Sequence, residues 1–156
     1  MRKLLSLLML LGAACAQTAV LLAGDAGGRV HYVGGTLAPA PSQSHGNIDT
    51  TNAEVLIFHR KESNLEIPYQ KINVLEYGQK VNRRFAEAIL ISPLMLLSKK
   101  RKHFLTVGYT DMEGHQQAMV FQMEKGDVRS ILASLEARTG RRVEFQDEEA
   151  RKAGKG

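Results

Sequence analysis

One cysteine, Cys15, is the whole thiol content of the 156-residue chain. A lone thiol excludes an intrachain disulfide framework and any cysteine-rich zinc site. Tryptophan is absent and aromatic residues make up only 6%, too few for an extended stacking surface of the kind that binds single-stranded nucleic acid. No internal repeat, heptad or collagen-like period is present. Hydrophobic residues at 44% and charged residues at 24% form an ordinary globular balance, so disorder does not describe the chain as a whole. A chain of this length is expected to fold as one domain.

The common catalytic signatures are missing too. There is no Gly-x-Ser-x-Gly elbow and no His-Glu-x-x-His. Glycines cluster at 24–28 and at Gly34-Gly35, but neither cluster ends in the Gly-Lys-Ser/Thr of a phosphate loop. The five histidines, His31, His45, His59, His103 and His115, show no metal-ligand spacing. His31 and His59 could meet across neighbouring strands, and otherwise read as ordinary sheet histidines. Glu144, Asp147, Glu148 and Glu149 could attract a cation, but a solvated acidic tail is the simpler reading. Enzymatic activity, a cofactor, a resident metal and nucleic-acid binding are therefore not expected.

The N-terminus carries the clearest message. Arg2 and Lys3 precede the apolar run Leu4 to Leu11, and small residues follow from Gly12 to Ala16. A basic, apolar, small-residue order describes a secretory signal over 1–16, with cleavage after Ala14-Cys15-Ala16. Cleavage there removes two cations, so a net charge of +5 becomes +3. So small an excess argues further against the many phosphate contacts that nucleic-acid binding needs. Two alternatives stay open. Gly12-Ala13-Ala14-Cys15 resembles a bacterial lipoprotein signal, which would make Cys15 a lipidation site. Residues 4–23 carry no charge and are long enough to serve as an uncleaved anchor. All three place the protein outside the cytoplasm, in the periplasm or cell envelope.

Beyond a joint at 17–28, residues 29–37 suit a first strand, with Gly34-Gly35 marking a bulge. Residues 38–52, with Pro39 and Pro41, read as a loop. Short strands are expected at 53–59, 65–68 and 72–77. From Lys80 the period changes, and Val81, Phe85 and Ile89 recur every fourth residue as in an amphipathic helix over 80–91. Pro93 should stop it. A hairpin follows, with strands at 105–110 and 116–123 and a turn at Asp111 to Gly114. Asp127 is placed to cap a helix with its carboxylate. Val128, Ile131, Leu132 and Leu135 form that helix's apolar stripe, and Gly140 ends it. Residues 143–145 suit a last strand. Residues 147–156 read as a frayed, charged tail.

Short strands, a late hairpin and one capping helix give a mainly β, α+β fold. They resemble the small antiparallel β-barrel or sandwich of the pleckstrin-homology-like superfold, nearest its GRAM-type and exported bacterial members. The resemblance spans 29–146. It rests on Glu66-Ile67-Pro68-Tyr69-Gln70-Lys71-Ile72, the hairpin and the 127–139 helix. The helix at 80–91 is an addition to that plan. The resemblance implies a binding or scaffolding module with a protein partner, and no lipid-headgroup residues carry over. Lys99, Lys100, Arg101 and Lys102 form the one dense cationic cluster. Beside the apolar residues 85–97 they could dock an anionic membrane surface, or they could form a solvated turn. The remaining alternative is a small ligand carrier or hydrolase using the barrel's open end.

Cleavage before Gln17 is expected, and the intact mass of protein exported by a bacterial host measures it. A mass that retains 1–16 supports the anchor, and a diacylated Cys15 supports the lipoprotein.

Overall fold

The computed structural model describes residues 27–36, 44–61, 63–80 and 102–155. Among the described residues, eight strands form one sheet: β1 (Gly27–Gly35), β2 (Ser44–Asp49), β3 (Val55–Arg60), β4 (Asn64–Pro68), β5 (Ile72–Gly78), β6 (His103–Thr110), β7 (Gln116–Met123) and β8 (Glu144–Phe145). Two helices follow β7: α1 (Val128–Thr139) before β8, and α2 (Glu148–Lys155) after it. The spatial order is β4-β3-β2-β1-β7-β6-β5-β8. Two meanders, β1 to β4 and β5 to β7, therefore meet where β1 pairs with β7.

The expectation of a mainly β, α+β fold is met, but the sheet is not a closed barrel. The free edge of β5 is taken by β8, in a parallel pairing of Glu76 with Glu144 and Tyr77 with Phe145. With that edge occupied, β5 cannot reach β4 and the sheet stays open. The same pairing makes the sheet mixed rather than wholly antiparallel. The helix expected over 80–91 lies, beyond Lys80, outside the described residues.

The hairpin folds as its sequence requires. Tyr109 pairs with Gln117 and Leu105 with Phe121. Gly114 turns the chain at φ +89°, where a side chain would be strained. The bulge in β1 is also present, because the β1–β7 register shifts between Tyr32 and Gly34. β2 was missed. Ser44-His-Gly-Asn-Ile-Asp49 has almost no intrinsic strand preference, and it becomes a strand because β1 and β3 pair with its two edges.

One face of the sheet carries the core. Val30, Tyr32, Ile48, Phe58, Leu75, Tyr77, Leu105, Met119 and Phe121 join Val128, Ile131, Leu132 and Leu135 of α1 in one buried cluster. Burying each large aliphatic side chain here contributes about 1.5–3 kcal/mol. The α1-covered face is the inner face below. On the opposite face Phe104, Thr106, Ala118 and Val120 are also buried, and they stand apart from the inner cluster.

α1 ends as expected at Gly140, whose φ of +68° lets its N–H donate to the Glu136 carbonyl at 2.9 Å. Its start differs. The Asp127 carboxylate makes no cap hydrogen bond, because it lies against the backbone of Gly28 in β1. The main chain closes the first turn instead, with Ile131 N donating to the Asp127 carbonyl at 3.0 Å. α1 is tied to the β2–β3 connection by the Thr50–Ser134 hydroxyl pair at 2.7 Å and by Arg138 Nη2 donating to Thr51 O at 3.1 Å.

The C-terminal segment is not a frayed tail. Asp147 Oδ1 accepts the Ala150 N–H at 2.7 Å and so caps α2. Ala150 and Gly154 are buried. A Cβ at Gly154 would stand 2.6 Å from the Phe145 ring and 3.3 Å from Leu132 and Tyr77. The helix therefore docks through its small residues, which an apolar-stripe search does not detect.

Leu132→Ala should destabilise the chain by about 2–5 kcal/mol, as for other large buried aliphatics. Met112→Ala, at a residue 88% exposed, should cost under about 0.5 kcal/mol. Urea melts of both variants test this, and equal mild losses would mean that α1 does not cap the sheet.

Candidate functional site

The structure distributes the sequence-derived candidates unevenly. Cys15, Lys99, Lys100 and Arg101 lie outside the described residues. Lys102 is half-buried, and its charge acts on the nearby His31. His31 does not meet His59. The β1–β2 register sets His31 opposite His45, and their rings stack at 4.1 Å. His59 lies one strand further on, opposite Asn47. Its ring instead contacts Asn64 Oδ1 at 3.1 Å and Asp49 Oδ2 at 3.5 Å.

Of the acidic C-terminal residues, Asp147 and Glu148 serve α2. Asp147 caps it, and Glu148 pairs with Arg151 at 3.4 Å. A different group, Asp111, Glu113 and His115 in the β6–β7 turn, brings its ligand-type atoms within 4.8 Å of one another. Asp111 already accepts from Gln117 Nε2 at 2.7 Å, His115 N at 2.8 Å and Glu113 N at 3.0 Å. These bonds give its carboxylate a turn-closing role and hold its pKa below the usual value.

Two histidines are poised electrostatically. His31 is held below its usual pKa by burial first, then by the charges of His45 and Lys102. His103 is lowered by burial and then by Lys125. Burial also pushes the Tyr77 phenol up to about 12. The Tyr77 hydroxyl and His103 Nδ1 share a hydrogen bond of 2.5 Å, whose donor is set by the imidazole tautomer.

A concavity lies between α1, β8 and α2. It is a groove of about 320 Å³ lined by Arg129, Leu132, Ala133, Glu136, Val143, Phe145, Gly154 and Lys155. Each wall follows from local structure. α1 turns Leu132 to the core and leaves Ala133 exposed beside it. After Gly140 the chain runs back along the sheet edge, tied by Arg141 Nε donating to Ile72 O at 2.6 Å and Gln146 N donating to Tyr77 O at 3.1 Å. Glu136 Oε1 accepts the Val143 N–H at 2.8 Å, which holds Val143 under the groove. Lys155 Nζ sits 5.4 Å from the Phe145 ring centroid, a cation–π distance. The floor is apolar, and the rim carries two cations and one carboxylate already engaged by the backbone.

The sequence signalled only part of this groove. Leu132 and the 143–145 strand were legible. The α2 wall was not, although Ala150 and Gly154, four residues apart, put two small side chains on one helical face. No protein-family model matches this chain, and no curated protein matches it.

The histidines make stability depend on pH. The unfolded chain takes up a proton near 6.5, while folded His31 and His103 take one up at lower pH. Between those values the unfolded state binds more protons, so acidification favours unfolding. The melting temperature should fall as pH drops below 6.5. His31→Gln should flatten that fall, and thermal melts across this window measure both effects.

Proposed function

We propose that this chain is a non-catalytic binding module of the bacterial cell envelope that holds a protein partner in the α1–β8–α2 groove. The groove's apolar floor and cationic rim are the observation that carries the reading. Leu132, Ala133, Val143 and Phe145 offer an apolar side chain somewhere to lodge. Arg129 and Lys155 favour an acidic neighbour on the same peptide. The scaffold supports this reading. Two meanders joined at β1–β7, with a helix laid over the inner face after the last long strand, suit a pleckstrin-homology-like domain of GRAM type. The sheet supplies a rigid support for a contact surface on its helical side. The basic, apolar and small-residue order at the N-terminus supports export to the envelope.

Peptide display against the full chain tests the groove. Selected peptides should share an apolar anchor next to an acidic residue. The Arg129→Glu, Lys155→Glu double variant should bind them at least about tenfold more weakly, or roughly 1.4 kcal/mol. Equal binding by the variant, or enrichment of no such motif, would overturn the assignment.

A further inference from the structure

The face of the sheet turned away from α1 is closed to solvent. Val120 is 0% exposed and Thr106 3%, Phe104 and Ala118 are buried with them, and none belongs to the inner cluster. Their neighbours in the sheet do not account for this. Val120 stands between Thr106 of β6 and Gly34 of β1, and a glycine has no side chain to lay over a neighbour. Ala118 stands beside Gly108. Burying a valine this fully needs atoms from above the sheet.

Among the described residues, no helix lies there. Val128, Ile131, Leu132 and Leu135 of α1 and Ala150 of α2 all belong to the inner cluster. The cover over β5, β6, β7 and β1 therefore comes from elsewhere.

The ends of one connection lie beside this face. β5 ends at Gly78, which pairs with Phe104 of β6. Two residues suffice to join such an antiparallel pair, yet the chain here runs through 79–102, of which 81–101 lie outside the described residues. Its returning end lies on the outer side. Phe104, Gln122, His31 and His45 form one row across β6, β7, β1 and β2, and the charge of Lys102 reaches His31 in that row.

The sequence of the connection suits the face. Val81, Phe85 and Ile89 recur every fourth residue, and Leu94, Leu96 and Leu97 follow. Apolar side chains in this number need cover, and the inner face is already taken by α1 and α2. The segment before β1 is a poorer fit. It enters at Gly27, outside the β1–β7 ladder that begins at Val30. After cleavage it offers only Val20, Leu21 and Leu22 as large apolar residues.

We propose that the outer face of β5, β6, β7 and β1 is the seat of residues 81–97 of this same chain. A helical step of four residues advances about 6 Å, close to the strand spacing of about 4.8 Å. Starting from β5, Val81, Phe85 and Ile89 then fall in turn over β5, β6 and β7, which sets Ile89 against Val120. The surface is separate from the α1–β8–α2 groove and does not depend on the partner assigned there. It makes 85–97 part of the core, so this segment is not available to a membrane.

Nuclear Overhauser contacts in the full chain, labelled at Ile, Leu and Val methyls, read the packing directly. The Val120 methyls should show cross-peaks to Ile89, and vesicles of phosphatidylglycerol should leave them in place. Melting temperatures give a second reading. The double variant Val120→Ala, Ile89→Ala should lose less than the sum of the two single losses, because the residues share one contact. Four outcomes would overturn the proposal: no cross-peak from Val120 to 81–97, cross-peaks to Leu21 or Leu22 in their place, cross-peaks only between differently labelled copies, or their loss on adding vesicles. Strictly additive melting losses would overturn the pairing of Ile89 with Val120. Should a variant fail to fold, the cross-peaks of the unaltered chain decide.

Discussion

Everything in this fold hangs on the pairing of β1 with β7. Each meander can form from local hairpins, but neither has a complete inner face by itself. The β1–β7 ladder sets Tyr32 against Phe121 and Val30 against Met123, and this fuses the two half-faces into one. Only then does α1 have a surface wide enough for Val128, Ile131, Leu132 and Leu135. Contacts between residues some ninety positions apart are costly in chain entropy before they contribute any burial. The hairpin and α1 can form early, while the joined sheet has to wait for both meanders.

What could be read from the sequence follows from where the information lies. The β6–β7 hairpin, the bulge at Gly34 and the span of α1 are local matters of period, turn chemistry and capping, and all three are present. β2 is not local. Only its two neighbours make a strand of Ser44 to Asp49, and its polar composition hides that. The closed barrel failed for a similar reason, since the two-residue β8 that occupies the β5 edge is too short to register as a decisive element. Asp127 had the right residue type for a cap, but tertiary contact with Gly28 took its side chain elsewhere.

The candidate sites divide along the same line. The groove's apolar floor was half legible, because Leu132 and Phe145 belong to recognisable elements. Its other wall depends on small residues in α2, whose value is that they fill little space. The His31–His45 stack was also hidden, since without β2 the next strand after His31 is the one that carries His59.

The edges of the sheet have a consequence for solubility. An open sheet has two free edges, and a bare edge invites a strand from another molecule to add on. At one edge, β4 keeps Glu66 exposed and ends in Pro68, a charge and a missing N–H that both discourage pairing. At the other, β8 and the Gln146 bond to Tyr77 cover the end of β5. The segment that builds the groove is thus also the guard of the sheet's second edge, and a chain cut short before Val143 would leave the β5 edge open to a strand from another molecule.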